Sequence, residues 1–146
     1  MSVPIREQIL DKLATLLDAS RAPTVQDFAA GSIIGLTDEE ESAELFQDST
    51  RIALTIRVEH LLRYDPVKIS RATAANVALA ELIQSLADAA ADEDVAALLE
   101  RIDYTTGGTL YPPEQSNIVG AYVQATVLYW TDTGNPYAYT ALDQED

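Results

Sequence analysis

The sequence predicts a single α+β domain, with one sheet of about four mainly antiparallel strands and helices packed on it. Residues 50–62 (TRIALTIRVEHLL) alternate strictly between apolar and polar side chains, the signature of a half-buried strand. Residues 117–131 (NIVGAYVQATVLYWT) form a long run of β-branched and aromatic residues that stops at the turn sequence DTGNPY. Residues 5–17 and 70–87 repeat apolar residues at helical spacing instead. Helices that interrupt two groups of strands, without strict β-α alternation, point to α+β rather than α/β.

Ile5, Ile9, Leu13, Leu16 and Leu17 share one helical face, with Arg6, Glu7, Asp11 and Lys12 between them, and Pro4 suits a first helical turn. The Ala22-Pro23 pair lies beyond that helix, which has about four turns. Residues 32–36 (SIIGL) read as a short strand weakened by Gly35. Residues 38–48 (DEEESAELFQD) hold six carboxylates and no base, so mutual repulsion predicts an exposed, mobile loop, its far end pinned by Leu45 and Phe46. In the alternating strand, Ile52, Leu54, Ile56 and Val58 face the core, and Arg51, Thr55, Arg57 and Glu59 face away. Tyr64-Asp65-Pro66 breaks the run.

The Ala-rich helix places Ala75, Leu79, Leu82, Ile83 and Leu86 toward the sheet. Asp92 caps a third, short helix through Leu99, and Glu93 and Asp94 favour its positive end. Residues 101–106 (RIDYTT) read as another strand and Gly107-Gly108 as a turn. On the last strand Val119, Ala121, Val123, Ala125 and Val127 form the core face, and Tyr122, Gln124, Thr126, Leu128 and Trp130 the other. Neither a repeat nor a linker divides residues 1–146, and residues 138–146 read as a C-terminal tail.

A hydrophobic fraction of 47% with 23% charged residues is ordinary globular composition. The formal net charge of −15 is not ordinary, and no Lys or Arg follows Arg101. That balance argues against nonspecific attraction to duplex phosphates, although an anionic pore lets DNA slide without sticking. With no cysteine, disulfides, thiolate metal sites and thiol nucleophiles are excluded. No secretory signal is expected from MSVPIREQIL, and no run reaches the roughly 18 apolar residues of a spanning helix.

Chemistry finds little support. His60, the only histidine, falls on the apolar parity of its strand, where a buried, hydrogen-bonded role is expected. The carboxylates at 38–41 and 92–94 lack the spaced pattern and distal Glu of a calcium loop, and no phosphate-binding glycine motif is present. No cofactor, metal site or catalytic set is expected, and the chain reads as a non-enzyme. The aromatics crowd into the last third instead, as Tyr104, Tyr111, Tyr122, Tyr129, Trp130, Tyr137 and Tyr139. Tyrosine and tryptophan with few charges suit a protein interface. The interface candidates are Tyr122, Gln124, Trp130, Tyr137, Tyr139, Arg51 and Arg57. The acidic candidates are Asp38, Glu39, Glu40, Glu41 and Glu44.

IREQIL at residues 5–10, the alternating strand, the Ala-rich helix, and the V-x-A-x-V-x-Y-W-T strand running into DTGNPY together resemble the tail terminator, or tail completion, proteins of long-tailed bacteriophages, the gpU-like group. The likeness covers the order of elements over nearly the whole chain. It implies a virion protein, assembled in the host cytoplasm, that forms a homohexameric ring on the tail tube, ends tube polymerisation and meets the head connector. DNA would pass through the ring without specific binding, along a lumen to which the acidic candidates would contribute, and no membrane is involved. Two other classes stay open: another neck or head-completion protein of the particle, and an acidic DNA mimic that occupies a DNA-binding protein.

Overall fold

The buried faces of the two central strands follow from the period of two in the sequence. The computed structural model describes residues 2–23, 33–113 and 117–140. Its elements are α1 (Ile5–Leu17), β1 (Ser20–Arg21), β2 (Ile33–Phe46), β3 (Ser49–Arg63), α2 (Arg71–Ala90), α3 (Glu93–Ala96), β4 (Arg101–Leu110) and β5 (Ile118–Asp132). The five strands lie in the order β1-β2-β3-β5-β4. β1 runs parallel to β2 and every other neighbour is antiparallel. The protein is thus an α+β domain with a mixed, mostly antiparallel sheet.

β3 and β5 are the spine. They pair without a register shift from Ser49↔Asp132 to Arg63↔Ile118. Period two then sends Leu54, Ile56 and Val58 of β3, with Val119, Ala121, Val123, Ala125 and Val127 of β5, to one face, where each is at most 1% exposed. Ile5, Ile9, Leu10, Leu13 and Leu17 of α1 and Ala78, Leu82, Leu86 and Ala89 of α2 join all of these but Val119 in one core, and Val119 packs with Ala74 and Ala75 of α2 in a smaller one. Each large aliphatic side chain so buried contributes about 1.5–3 kcal/mol.

The helix ends have specific causes. The Ser70 hydroxyl accepts from the Thr73 N–H and starts α2, and the Asp92 carboxylate accepts from the N–H groups of Asp94 and Val95 and starts α3. α1 stops where Asp18 turns left-handed at φ 53° and the Ala19 N–H closes back onto the Ala14 carbonyl. Its first N–H, on Ile5, is taken by the carbonyl of Pro136 beyond β5, so the end of the chain's last strand fixes where the first helix begins.

Several expectations are corrected. Residues 38–48 are not a mobile loop: all but the last two lie in β2, which hairpins onto β3 through Gln47 and Asp48. Alternating sides, a bulge between Asp38 and Glu41, and ion pairs with Arg6 relieve the repulsion expected of four adjacent acids. Charge also suits this part of β2, which lies beyond the short β1 pairing at Gly35 and Leu36, because it discourages further strand pairing. Nor is Gly107-Gly108 a turn. Both sit inside β4, where a Cβ on Gly107 would lie 2.8 Å from the Tyr104 hydroxyl and one on Gly108 would lie 2.9 Å from the Tyr122 ring. Leu16 and Ile83, expected in the core, are exposed, while the smaller Ala74, Ala78 and Ala89 are buried. The third helix ends at Ala96 rather than Leu99. Leu45 pins nothing, being 71% exposed. Ser32, at the start of the first expected strand, lies outside the described residues, as do residues 141–146 of the expected tail.

Candidate functional site

Among the described residues, the core alternation leaves the opposite face of the sheet without a helix. Five of the seven interface candidates fall on it: Arg51 and Arg57 from β3, and Tyr122, Gln124 and Trp130 from β5. Each is half-buried, and Arg51 faces Trp130 and Arg57 faces Gln124 across the β3–β5 pair. Arg57 stacks its guanidinium 4.1 Å from the centre of the Tyr122 ring and pairs with Glu59. The Gln124 amide donates to Glu39 Oε1 at 3.1 Å, reaching past β3 to β2.

Glu100, just before β4, organises one end of this face. Its two carboxylate oxygens accept from Arg51 Nε at 3.1 Å and Nη2 at 2.6 Å. Trp130 Nε1 adds a bond at 3.0 Å and Arg101 Nη1 another at 2.8 Å. Arg51, and after it the Trp130 N–H, hold the Glu100 carboxyl below the usual carboxylate range. Arg101 in turn reaches Asp103 at 2.9 Å. The Trp130 ring is held between Phe46, 5.4 Å away and tilted, and Tyr139, 6.0 Å away and stacked. The Asp132 N–H donates to the Ala138 carbonyl and so carries Tyr139 back over the sheet; residues 138–140 are docked rather than trailing. Tyr137 stands apart, half exposed in the turn after β5. Tyr129 belongs to the core at 2% exposure, where burial pushes its hydroxyl up to about 12.

The acidic candidates do not form one patch. Asp38 pairs with α1 through Arg6 Nη2 at 2.6 Å, Glu41 also binds Arg6, and Arg21 clasps Glu7 through two 3.0 Å bonds. These bonds tie α1 to β1 and β2, and Arg6 holds the Asp38 carboxyl below its ordinary value. Glu44 stands opposite Arg51 on the helix-free side, and Glu40 is exposed at the β2 edge. His60 lies half-buried at the end of the helix-covered face, where burial lowers its pKa against the raising effect of Glu81. On the helix side an open groove of about 700 Å³ runs past Gln8, Asp11, Lys12, Asp92 and Asp94, but Asp92 there spends its carboxylate on the cap of α3.

No protein-family model matches the chain, and no curated protein matches its sequence.

Sequence reasoning missed Glu100 and Arg101, while Phe46, expected to pin the end of the acidic segment, does pack against Trp130. Glu100 lies 30 residues from Trp130 and 49 from Arg51, so only strand pairing brings the three together. A weak signal existed: Glu100-Arg101-x-Asp103 concentrates opposite charges at a strand start.

Proposed function

We propose that this chain is a structural subunit of a bacteriophage tail. In this reading it forms a ring that caps the tail tube, ends tube polymerisation and presents a surface to the head connector. The observation that carries the proposal is the helix-free sheet face. It is aromatic and arginine-rich, half-exposed, and braced by Glu100, which is the composition and pre-organisation that interface centres use. The likeness of the IREQIL helix and the YWTDTGNPY ending to tail terminators supplies the identity of the assembly. A net charge of −15 suits a passage through which DNA moves without being trapped. No catalytic step, cofactor or membrane enters the proposal.

Electron microscopy and native mass spectrometry of the protein, alone and mixed with tail tubes, test it. The expected result is a closed ring, of six copies, at tube ends. A protein that stays monomeric and never binds tubes sinks the proposal. A ring that binds the connector and ignores tubes transfers it to another neck protein. Binding of a basic DNA-binding protein by the monomer supports the acidic mimic instead. That reading is the weaker, because Arg6 already engages Asp38 and Glu41.

A further inference from the structure

The two ends of β3 differ in charge, although Asp65 stands at the basic end and Arg51 lies opposite Glu44 near the acidic one. At the far end of β3 stand Arg63 and Lys68, both exposed, with Arg71 behind them at the start of α2. Among the described residues neither Arg63 nor Lys68 enters an ion pair, unlike Arg6, Arg21, Arg51, Arg57 and Arg101. This end is built rather than loose. Asp65 accepts from the Val67 N–H with its side chain and from the Lys68 and Ile69 N–H groups with its carbonyl. Ile69 packs on the small cluster of Ala74, Ala75 and Val119, and Arg71 donates to the Pro112 carbonyl beside the Tyr111 ring. The turn thereby holds Val67, next to Lys68 in the chain, out at 91% exposure.

The other end of the same strand carries the complement. The β2–β3 hairpin tip offers Glu44 and Asp48, both exposed, around Leu45 at 71% and Phe46 at 45% exposure. β3 has 15 residues, so at about 3.3 Å each the two ends lie roughly 45 Å apart. One molecule cannot bring them together; two copies can.

We propose that the end formed by Arg63, Val67 and Lys68 receives the acidic hairpin tip, Glu44–Phe46 and Asp48, of a second copy of this chain. Each copy then has one donor end and one acceptor end. That is a heterologous contact, which closes into a ring when the rotation per copy allows and otherwise grows into a filament. Opposite charge steers the encounter, and Val67 against Leu45 supplies the apolar centre. The inference deepens the assembly reading and rests on it only for self-association.

Charge reversal in both directions is the test. The Arg63→Glu/Lys68→Glu and Glu44→Lys/Asp48→Lys variants change exposed side chains, and circular dichroism should show both folded. Sedimentation at low and moderate salt is expected to show concentration-dependent association of the wild type. Each variant alone should lose at least about tenfold in affinity, since like charges then face each other. Mixing the two variants should restore association, but only as far as alternating ends permit. A wild type that associates while both reversals leave its affinity unchanged overturns this contact and leaves the ring proposal standing. Filaments sensitive to both reversals, with no ring on tubes, uphold the contact and sink the ring. A wild type that stays monomeric at low salt, or that uses Arg63 and Lys68 only to retain a short DNA duplex, overturns the inference.

Discussion

Single positions on β5 separate the buried face from the face proposed for assembly, because neighbouring side chains point to opposite faces. Val123 is 1% exposed beneath the helices. Val123→Asp should abolish soluble expression, since an unpaired buried carboxylate costs several kcal/mol, on the order of a small domain's whole stability. Gly120 makes a second sharp case. A Cβ there would meet Leu61 Cδ2 at 2.4 Å and, more seriously, the His60 carbonyl at 2.6 Å, which belongs to the paired backbone of β3. Gly120→Ala should therefore destabilise by about 1–3 kcal/mol in urea unfolding, because strand separation rather than a rotamer must change. An unchanged midpoint would show that the β3–β5 pairing is looser here than the register implies.

Between elements, the α1–β2 contact is electrostatic where the β3–β5 contact is backbone and packing. Arg6→Ala frees Asp38 and Glu41 together. Near neutral pH the loss should be about 1 kcal/mol or less, given how much of the pair is open to solvent. Its pH dependence has a definite sign. Arg6 lowers the Asp38 pKa in the folded protein, so the contribution is complete above the unfolded carboxylate value, about 4, and disappears as pH falls through the lower folded value. Urea midpoints of wild type and Arg6→Ala should differ at pH 7 and converge on acidification below about pH 4. A gap that persists at low pH would assign the effect to packing of the Arg6 stem.

For the whole molecule, the informative asymmetry is that the helices among the described residues all pack on one sheet face. Trp130→Ala removes a ring held between Phe46 and Tyr139 and a donor to Glu100, all on the helix-free face. Tyr122→Ala removes the support beneath Arg57 and the cover over Gly108. Both variants should keep the far-ultraviolet circular dichroism of the wild type and weaken self-association or tube binding by at least about tenfold, as interface anchors do. If both unfold while Val123→Asp stays soluble, the face assignment is inverted. On the proposed reading, the ends of the strands would meet other copies and this face would meet other partners, the two kinds of surface that a capping ring requires.

Period alone settled a great deal. The alternation of residues 50–62 and of 117–131 located the two central strands to within a residue or so of β3 and β5, and it named their buried faces correctly. A side chain's parity is local, so it survives without knowledge of the partner strand. The α1 span and its core stripe, Leu16 apart, were legible for the same reason, as was the Asp92 cap. Tertiary structure decided what depended on a neighbour distant in sequence. Residues 38–46 became a strand because β3 and Arg6 were there to pair with them, and Gly107-Gly108 stayed in a strand because Leu79, Tyr104 and Tyr122 close over it. Repulsion among adjacent acids and the flexibility of paired glycines are real local tendencies of about 1 kcal/mol or less per residue, which strand pairing and packing readily exceed. Glu100 became a hub through β4, β5 and β3 meeting at one corner, a juxtaposition that no one-dimensional spacing encodes.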